Sequence, residues 1–271
     1  MRFHFTVPKA AALALTLAGA AHAGPFAPAA GKPGSTAIGK DDSSITHWAT
    51  AYQDYLPGTD VDTTWQTPGR ALGKAIGDSQ DIVSLGNGGR ITLTFGGNIV
   101  NDAGDDFAVF ENSFSDAFLE LGWVEVSSDG SKFFRFPNYS FTPSPVSAFG
   151  TVDPTNIDGL AGKYRQGYGT PFDLDLLKGT AGLDVNAVKY VRIIDIVGDG
   201  TAFDSYPASV GGPHVIYDPH KTTGSGGFDL DAIGVIHFAA ASAVPEPASL
   251  ALLSLGGLLM AAAARRQRRS A

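Results

Sequence analysis

Cysteine is absent from the 271 residues. That excludes disulfide staples, thiol nucleophiles and every cysteine-ligated metal site. The sequence also lacks H-E-x-x-H, a P-loop lysine motif, a G-x-G-x-x-G after a strand and a G-x-S-x-G elbow, which removes the common signatures of zinc peptidases, nucleotide-binding enzymes and serine hydrolases. Away from the termini, histidine occurs only at His47, His214, His220 and His237, too scattered for a triad or a zinc site. Long helices are not expected either, because 34 glycines and 16 prolines interrupt any extended helical pattern. One enzyme class stays open, a hydrolase built on two carboxylates, since acidic residues are plentiful and a sequence does not measure their separation. The expectation is a protein that is not an enzyme.

Basic residues are scarce as well. Setting aside Arg2, Lys9 and the four arginines of the C-terminal tail leaves 13 Lys and Arg; setting aside Glu246 leaves 26 Asp and Glu, a net charge of −13. Nucleic acid and anionic lipid both require basic patches, so neither is an expected partner. Divalent cations and neutral glycans suit such a body better.

What is present reads as strands. Ile82 to Leu85, a Gly86–Gly89 turn and the alternating run Arg90 to Phe95 suggest a hairpin; Asp106 to Glu111 suggests a buried strand. Leu121 to Ser127, the turn Ser128-Asp129-Gly130 and Lys132 to Phe136 form the clearest hairpin, followed by strands over Val188 to Val197 and Phe228 to Phe238. Thr46 to Tyr55 fits a helical turn or a strand equally. Residues 24–39 read as a flexible Pro/Gly/Ala-rich leader, and residues 137–180 as a long loop, a length that in a compact domain points to function. With no internal repeat or composition break, residues 40–240 are expected to be one all-β domain, an antiparallel β-sandwich of jelly-roll type with long loops.

Candidate chemistry follows from the acids and the loop. Calcium takes six to eight oxygens from carboxylates and carbonyls, which Asp/Gly loops supply. Three groups qualify: Asp102, Asp105 and Asp106 with Glu111; Asp195 with Asp199 and Asp204; and Asp229 with Asp231, which alternate and so face one side of their strand. No EF-hand spacing is present, and turn aspartates capping their own backbone are the ordinary alternative. For a ligand, aromatic faces with a few polar groups suggest Trp123, Tyr139, Tyr164, Arg165 and Tyr168. Loop packing is the alternative for these, and Trp123 fits a core position equally well.

The termini carry an address. Arg2 and Lys9, the apolar run Ala10 to Ala21 and the small-x-small site Ala21-His22-Ala23 read as a signal peptide over residues 1–23. At the other end, residues 244–271 comprise VPEPAS, an uncharged run from Ala248 to Ala264 and a basic end at 265–269. The seventeen-residue run, as a helix, covers roughly 25 Å, just enough to span a bilayer, with the arginines holding its end in the cytoplasm. A plain C-terminal anchor is one reading. The block Pro245-Glu246-Pro247, the short transmembrane helix and Arg265, Arg266, Arg268 and Arg269 resemble the PEP-CTERM sorting signal of exported proteins from exopolysaccharide-producing Gram-negative bacteria.

That resemblance implies an exosortase as partner, processing near Pro-Glu-Pro, a temporary inner-membrane anchor, and a final place at the cell surface or in the extracellular matrix. It also suggests exopolysaccharide as the ligand, and the Asp/Gly loops add calcium as an expected support. Two further resemblances concern the body. WVEVSSDG with KFFRF is similar to a hairpin of discoidin-like, galactose-binding-like sandwiches. GDDFAVFEN with the WVEV strand is similar to surface proteins encoded beside cobalamin-uptake genes, which implies a corrinoid-capture protein as the alternative function.

Overall fold

The computed structural model describes residues 24–241. The expected signal peptide 1–23 and the expected sorting tail with Pro245, Glu246, Pro247, the run 248–264, Arg265 and Arg266 lie outside the described residues. No helix among the described residues is long and apolar enough to cross a membrane.

In chain order the strands are β1 (Ile38–Gly39), β2 (His47–Trp48), β3 (Ala51–Leu56), β4 (Val83–Ser84), β5 (Arg90–Ile99), β6 (Phe107–Glu111), β7 (Gly122–Ser127) and β8 (Phe134–Arg135), then β9 (Tyr139–Ser140), β10 (Val146–Ser147), β11 (Ile157–Asp158), β12 (Tyr168–Phe172), β13 (Val188–Asp195), β14 (Pro219–His220), β15 (Asp229–Val235) and β16 (Phe238–Ala240). One sheet runs β1-β12-β6-β15-β2, with β4 sharing the β2 edge of β15; the other runs β16-β5-β13-β7-β8, with β3 sharing the β16 edge of β5. All pairings in both sheets are antiparallel. The antiparallel sandwich expected from the sequence is therefore present.

Alternation builds the core. Ile91, Leu93 and Phe95 of β5, Val124 and Val126 of β7, and Val191 and Ile193 of β13 face Phe107 and Val109 of β6 and Ile233 and Val235 of β15 across the sandwich. β6 is buried at all five positions because its other face, Ala108 and Phe110, is roofed by Ile38, Ile45 and Trp48. This second cover explains why its sequence is apolar on both parities.

Two strand readings are corrected. Ile82 to Phe95 is no hairpin: β4 pairs with β15 in one sheet and β5 with β3, β13 and β16 in the other, so Gly86–Gly89 carries the chain between sheets. The hairpin of β7 with β8 does form, through Glu125 opposite Arg135 and Val126 opposite Phe134. Residues 137–180 are not one loop, because they hold β9 to β12, and β12 lies inside the first sheet between β1 and β6. Gly169 and Pro171 hid this strand. A Cβ at Gly169 would come within 2.9 Å of the Phe110 ring, and Pro171 sits beyond the reach of β1, where a missing amide donor costs nothing.

The leader is anchored rather than loose. The Gly24 amide donates to Thr155 Oγ1 (2.6 Å), the Phe26 amide to the Thr155 carbonyl, and the Phe26 ring stacks on Tyr139 and Phe141 at 6.0 and 5.5 Å. Phe26→Ala is accordingly expected to lower stability by about 1–2 kcal/mol through lost burial and stacking. Urea unfolding of the exported protein measures this, and a change within error would return the leader to the status of a linker.

Candidate functional site

Two places in the described region combine unusual chemistry with defined geometry. The first is a surface groove of about 660 Å³ whose lining includes Lys40, Asp41, Phe114, Arg165, Gln166 and Tyr168. Its walls are built locally. The Arg165 guanidinium lies 4.7 Å over the Tyr168 ring and is held by Asp116 (2.5 Å) and by the Ala30 carbonyl (3.0 Å). The Gln166 amide donates to the Ser113 carbonyl, while Gln166 Oε1 accepts from the Ser79 hydroxyl. Gly77, at φ +73°, lies against Lys40, and its amide and that of Ile76 donate to Asp231. From the groove a row of rings runs outward: Phe114 stacks on Phe118 at 5.4 Å, and Phe118 on Phe149 at 6.2 Å. Phe114 is 61% exposed and Phe149 82%. No motif marks these phenylalanines in the sequence; their exposure among the described residues is visible only in the fold.

The second place is one end of the sandwich. Glu111 closes β6, Asp229 opens β15, Asp195 closes β13, Glu120 precedes β7 and Asp218 precedes β14, and all five side chains are buried. The ion pairs of the described residues reach none of them. Asp195 takes the Phe228 and Gly88 amides at 2.7 Å each, Glu120 takes the Thr222 hydroxyl at 2.9 Å, Glu111 takes the Ser113 amide at 2.8 Å, and Asp218 takes the Leu121 amide at 2.9 Å. Burial pushes the carboxyls of Asp195 and Asp229 up to about 7. It pushes Glu111, Glu120 and Asp218 well above the carboxylate range, and the negative charge of their neighbours adds to it. For Asp195, moving from 3.8 to about 7 corresponds to roughly 4 kcal/mol in favour of the protonated form inside the fold.

The expected metal ligands thus divide. Glu111, Asp195 and Asp229 come together, joined by Glu120 and Asp218, which the sequence reading passed over because neither sits in an Asp/Gly turn pattern. Asp231 does not share their site: the register shift between Leu230 and Ala232 breaks the alternation that would align it with Asp229, and it caps Ile76 and Gly77 instead. Burial lifts Asp231 to about 6. Asp105 and Asp106 lie at the opposite end of β6, where Asp106 accepts from the Asp102 and Leu174 amides and meets His237 Nδ1 at 2.7 Å. Asp204 is tied to Ser140, Tyr206 and His214, and Asp199 caps the exposed Thr201.

The expected ligand residues divide too. Arg165 and Tyr168 line the groove. Tyr164 is 1% exposed with its hydroxyl bonded to Thr36, so it is a packing residue; beside it Lys163 is buried with no hydrogen-bond partner, its pKa drawn down to about 8 by that burial. Trp123 packs on the second core cluster beneath the Arg135 guanidinium, 4.1 Å away. Tyr139 is occupied by Phe26 and Tyr206.

The body is thus an all-β, two-sheet antiparallel domain. Residues 243–269 match the PEP-CTERM protein-sorting motif. The motif implies an exported protein that is sorted by an exosortase, crossing the membrane and then being released. No curated protein matches the chain.

The buried acids set a pH dependence. Asp195 and Asp229 have folded values of about 7 and Asp231 about 6, all above the unfolded 3.8, so between these values the folded chain holds more protons than the unfolded one. In the presence of a chelator this contribution to stability is therefore fully present below about pH 3.8, is lost progressively as pH rises from there through 6 to 7, and changes no further above that. Urea midpoints taken with EDTA at pH 5 and pH 8 are expected to be several tenths molar apart or more, the lower at pH 8. Equal midpoints would contradict the raised values.

Proposed function

We propose that the exported body is a non-enzymatic binding domain that holds extracellular polysaccharide along the groove and its aromatic row, with calcium supporting the fold. The carrying observation is the Phe114–Phe118–Phe149 row, which leaves two large apolar rings in water beside a groove furnished with Arg165, Gln166 and Lys40. Flat apolar rings next to amide and charged donors suit the apolar face and the hydroxyls of a sugar ring. Exposed rings of this kind are otherwise a liability in a secreted protein.

The groove's carboxylates favour binding over hydrolysis. A glycosidase needs one carboxyl held protonated near neutral pH. In the groove, the hydrogen bond from Lys74 holds Asp41 below the ordinary carboxylate range, and the Ser44 amide does the same for Asp42. The family context of the tail supplies exopolysaccharide as the glycan to test first.

Replacing Phe114 and Phe149 together by alanine is expected to reduce retention on the native exopolysaccharide about tenfold, equivalent to 1.4 kcal/mol, while the melting midpoint stays unchanged because both rings are exposed. Full retention by the double variant would overturn this reading. Capture of a coloured corrinoid with no glycan would replace it by small-molecule capture. For the tail, mass spectrometry of the released protein is expected to find a C-terminus that lacks Arg265 to Ala271; an intact basic end would refute processing.

A further inference from the structure

We infer that the buried acids at one end of the sandwich form a calcium site that clamps the two sheets together. The inference rests on the calcium half of the proposed reading and is separate from its glycan half. Glu111 and Asp229 come from β6 and β15 of the first sheet; Asp195 ends β13 of the second, and Glu120 enters β7 of that sheet. Asp218 reaches in from the segment before β14. One ion held among them would join both sheets and two long connections, in a chain that has no disulfide to do so.

The acids are not the only observation. Ser84, fully buried and directly across the strand pair from Asp229, turns its hydroxyl to that carboxylate but does not reach well-formed hydrogen-bond geometry with it or with any other group. Asp218 Oδ1 and Asp229 Oδ1, on side chains only 2% exposed, are also without partners. Unpartnered buried oxygens of this kind are rare, because each loses its water without replacement. Within the protein, carboxylates surround carboxylates: the charges acting on Glu120 are Asp229 and Asp195, and those acting on Asp218 are Asp195, Glu120 and Asp199.

The donors decide the ion. Every candidate ligand is a hard oxygen, from carboxylates and a hydroxyl, with no sulfur and no imidazole in the set, which selects calcium, magnesium or manganese over zinc or copper. Calcium accepts more oxygens in looser geometry, as donors arriving from five separate chain segments require, whereas magnesium demands a near-ideal octahedron and keeps its water. Asp218, Asp229, Glu111, Glu120 and Ser84 have oxygens to offer. Asp195 has both oxygens engaged by the Phe228 and Gly88 amides and acts as a positioning residue that fixes the chain on either side. Among the described residues no three His or acidic side chains already stand at ligand distance from one point, so binding draws them inward by side-chain rotation.

The test uses the exported protein, stripped with EGTA and then titrated with calcium or magnesium chloride. Elemental analysis before stripping is expected to find about one calcium per chain. Calcium at about a hundredfold its dissociation constant should raise the melting midpoint by roughly 5–10 °C, with magnesium well behind at the same concentration. Asp218→Asn and Asp229→Asn should weaken calcium binding about tenfold or more, measured calorimetrically, yet melt no lower than the wild type in EGTA, because each replaces a buried carboxyl, whose charged form is disfavoured there, by a neutral amide. A purely structural role would instead lower the midpoint with and without calcium, and that result overturns the site. So do an unchanged wild-type midpoint and an absence of retained calcium, which decide the matter even if a variant fails to fold. A calcium response without glycan retention supports the site and removes only the glycan reading.

Discussion

β15 carries acid into the interior, and much of the rest answers to that. It is buried at all seven positions, flanked by β6 on one side and by β2 and β4 on the other, yet two of its first three residues are aspartates. A buried carboxylate must be protonated, hydrogen-bonded or matched by positive charge. Asp231 is answered by backbone, through the Ile76 and Gly77 amides. Asp229 is answered only in part and lies in a neighbourhood of further acids. The same strand therefore shapes a wall of the surface groove at one residue and the acid-rich end of the sandwich at another, with the register shift between Leu230 and Ala232 separating the two roles.

The groove depends on a different constraint, the need to cover the outer face of β6. Ala108 and Phe110 point away from the main core and would lie in water without the segment that brings Ile38, Ile45 and Trp48 over them. That segment also supplies Lys40 and Asp41 to the groove, and β1 within it pairs with the start of β12, where Tyr168 sits. Covering an apolar strand and forming a binding surface are thus one packing event. Anchoring of the leader through Gly24 and Phe26 extends the same cover toward the β9–β11 region.

Legibility in the sequence followed the periodicity of each element. Ile91, Leu93 and Phe95 alternate cleanly, and Val124 and Val126 face the core on alternate positions of the strand before the turn, so β5, β7 and the β7–β8 hairpin could be read directly. β12 could not, because Gly169 and Pro171 look like loop residues until Phe110 and the short reach of β1 are known. The partner of β4 was likewise hidden: four residues containing three glycines look like a hairpin turn, and nothing local says that the chain is changing sheets. Among the candidate site residues, Arg165 and Tyr168 proved accessible and Tyr164 proved buried, though all three lie within five positions of one another.

By itself the sequence determined the all-β class, the acidity, the lack of any covalent staple and the sorting tail, since each is a property of composition or of contiguous residues. Only the tertiary structure decided that Glu111, Glu120, Asp195, Asp218 and Asp229 meet at one end of the sandwich, that Asp231 leaves them, and that Phe114 and Phe149 remain in water. The physical reason is that antiparallel pairing joins residues more than a hundred positions apart, such as Glu111 and Leu230, by a register that a single bulge resets.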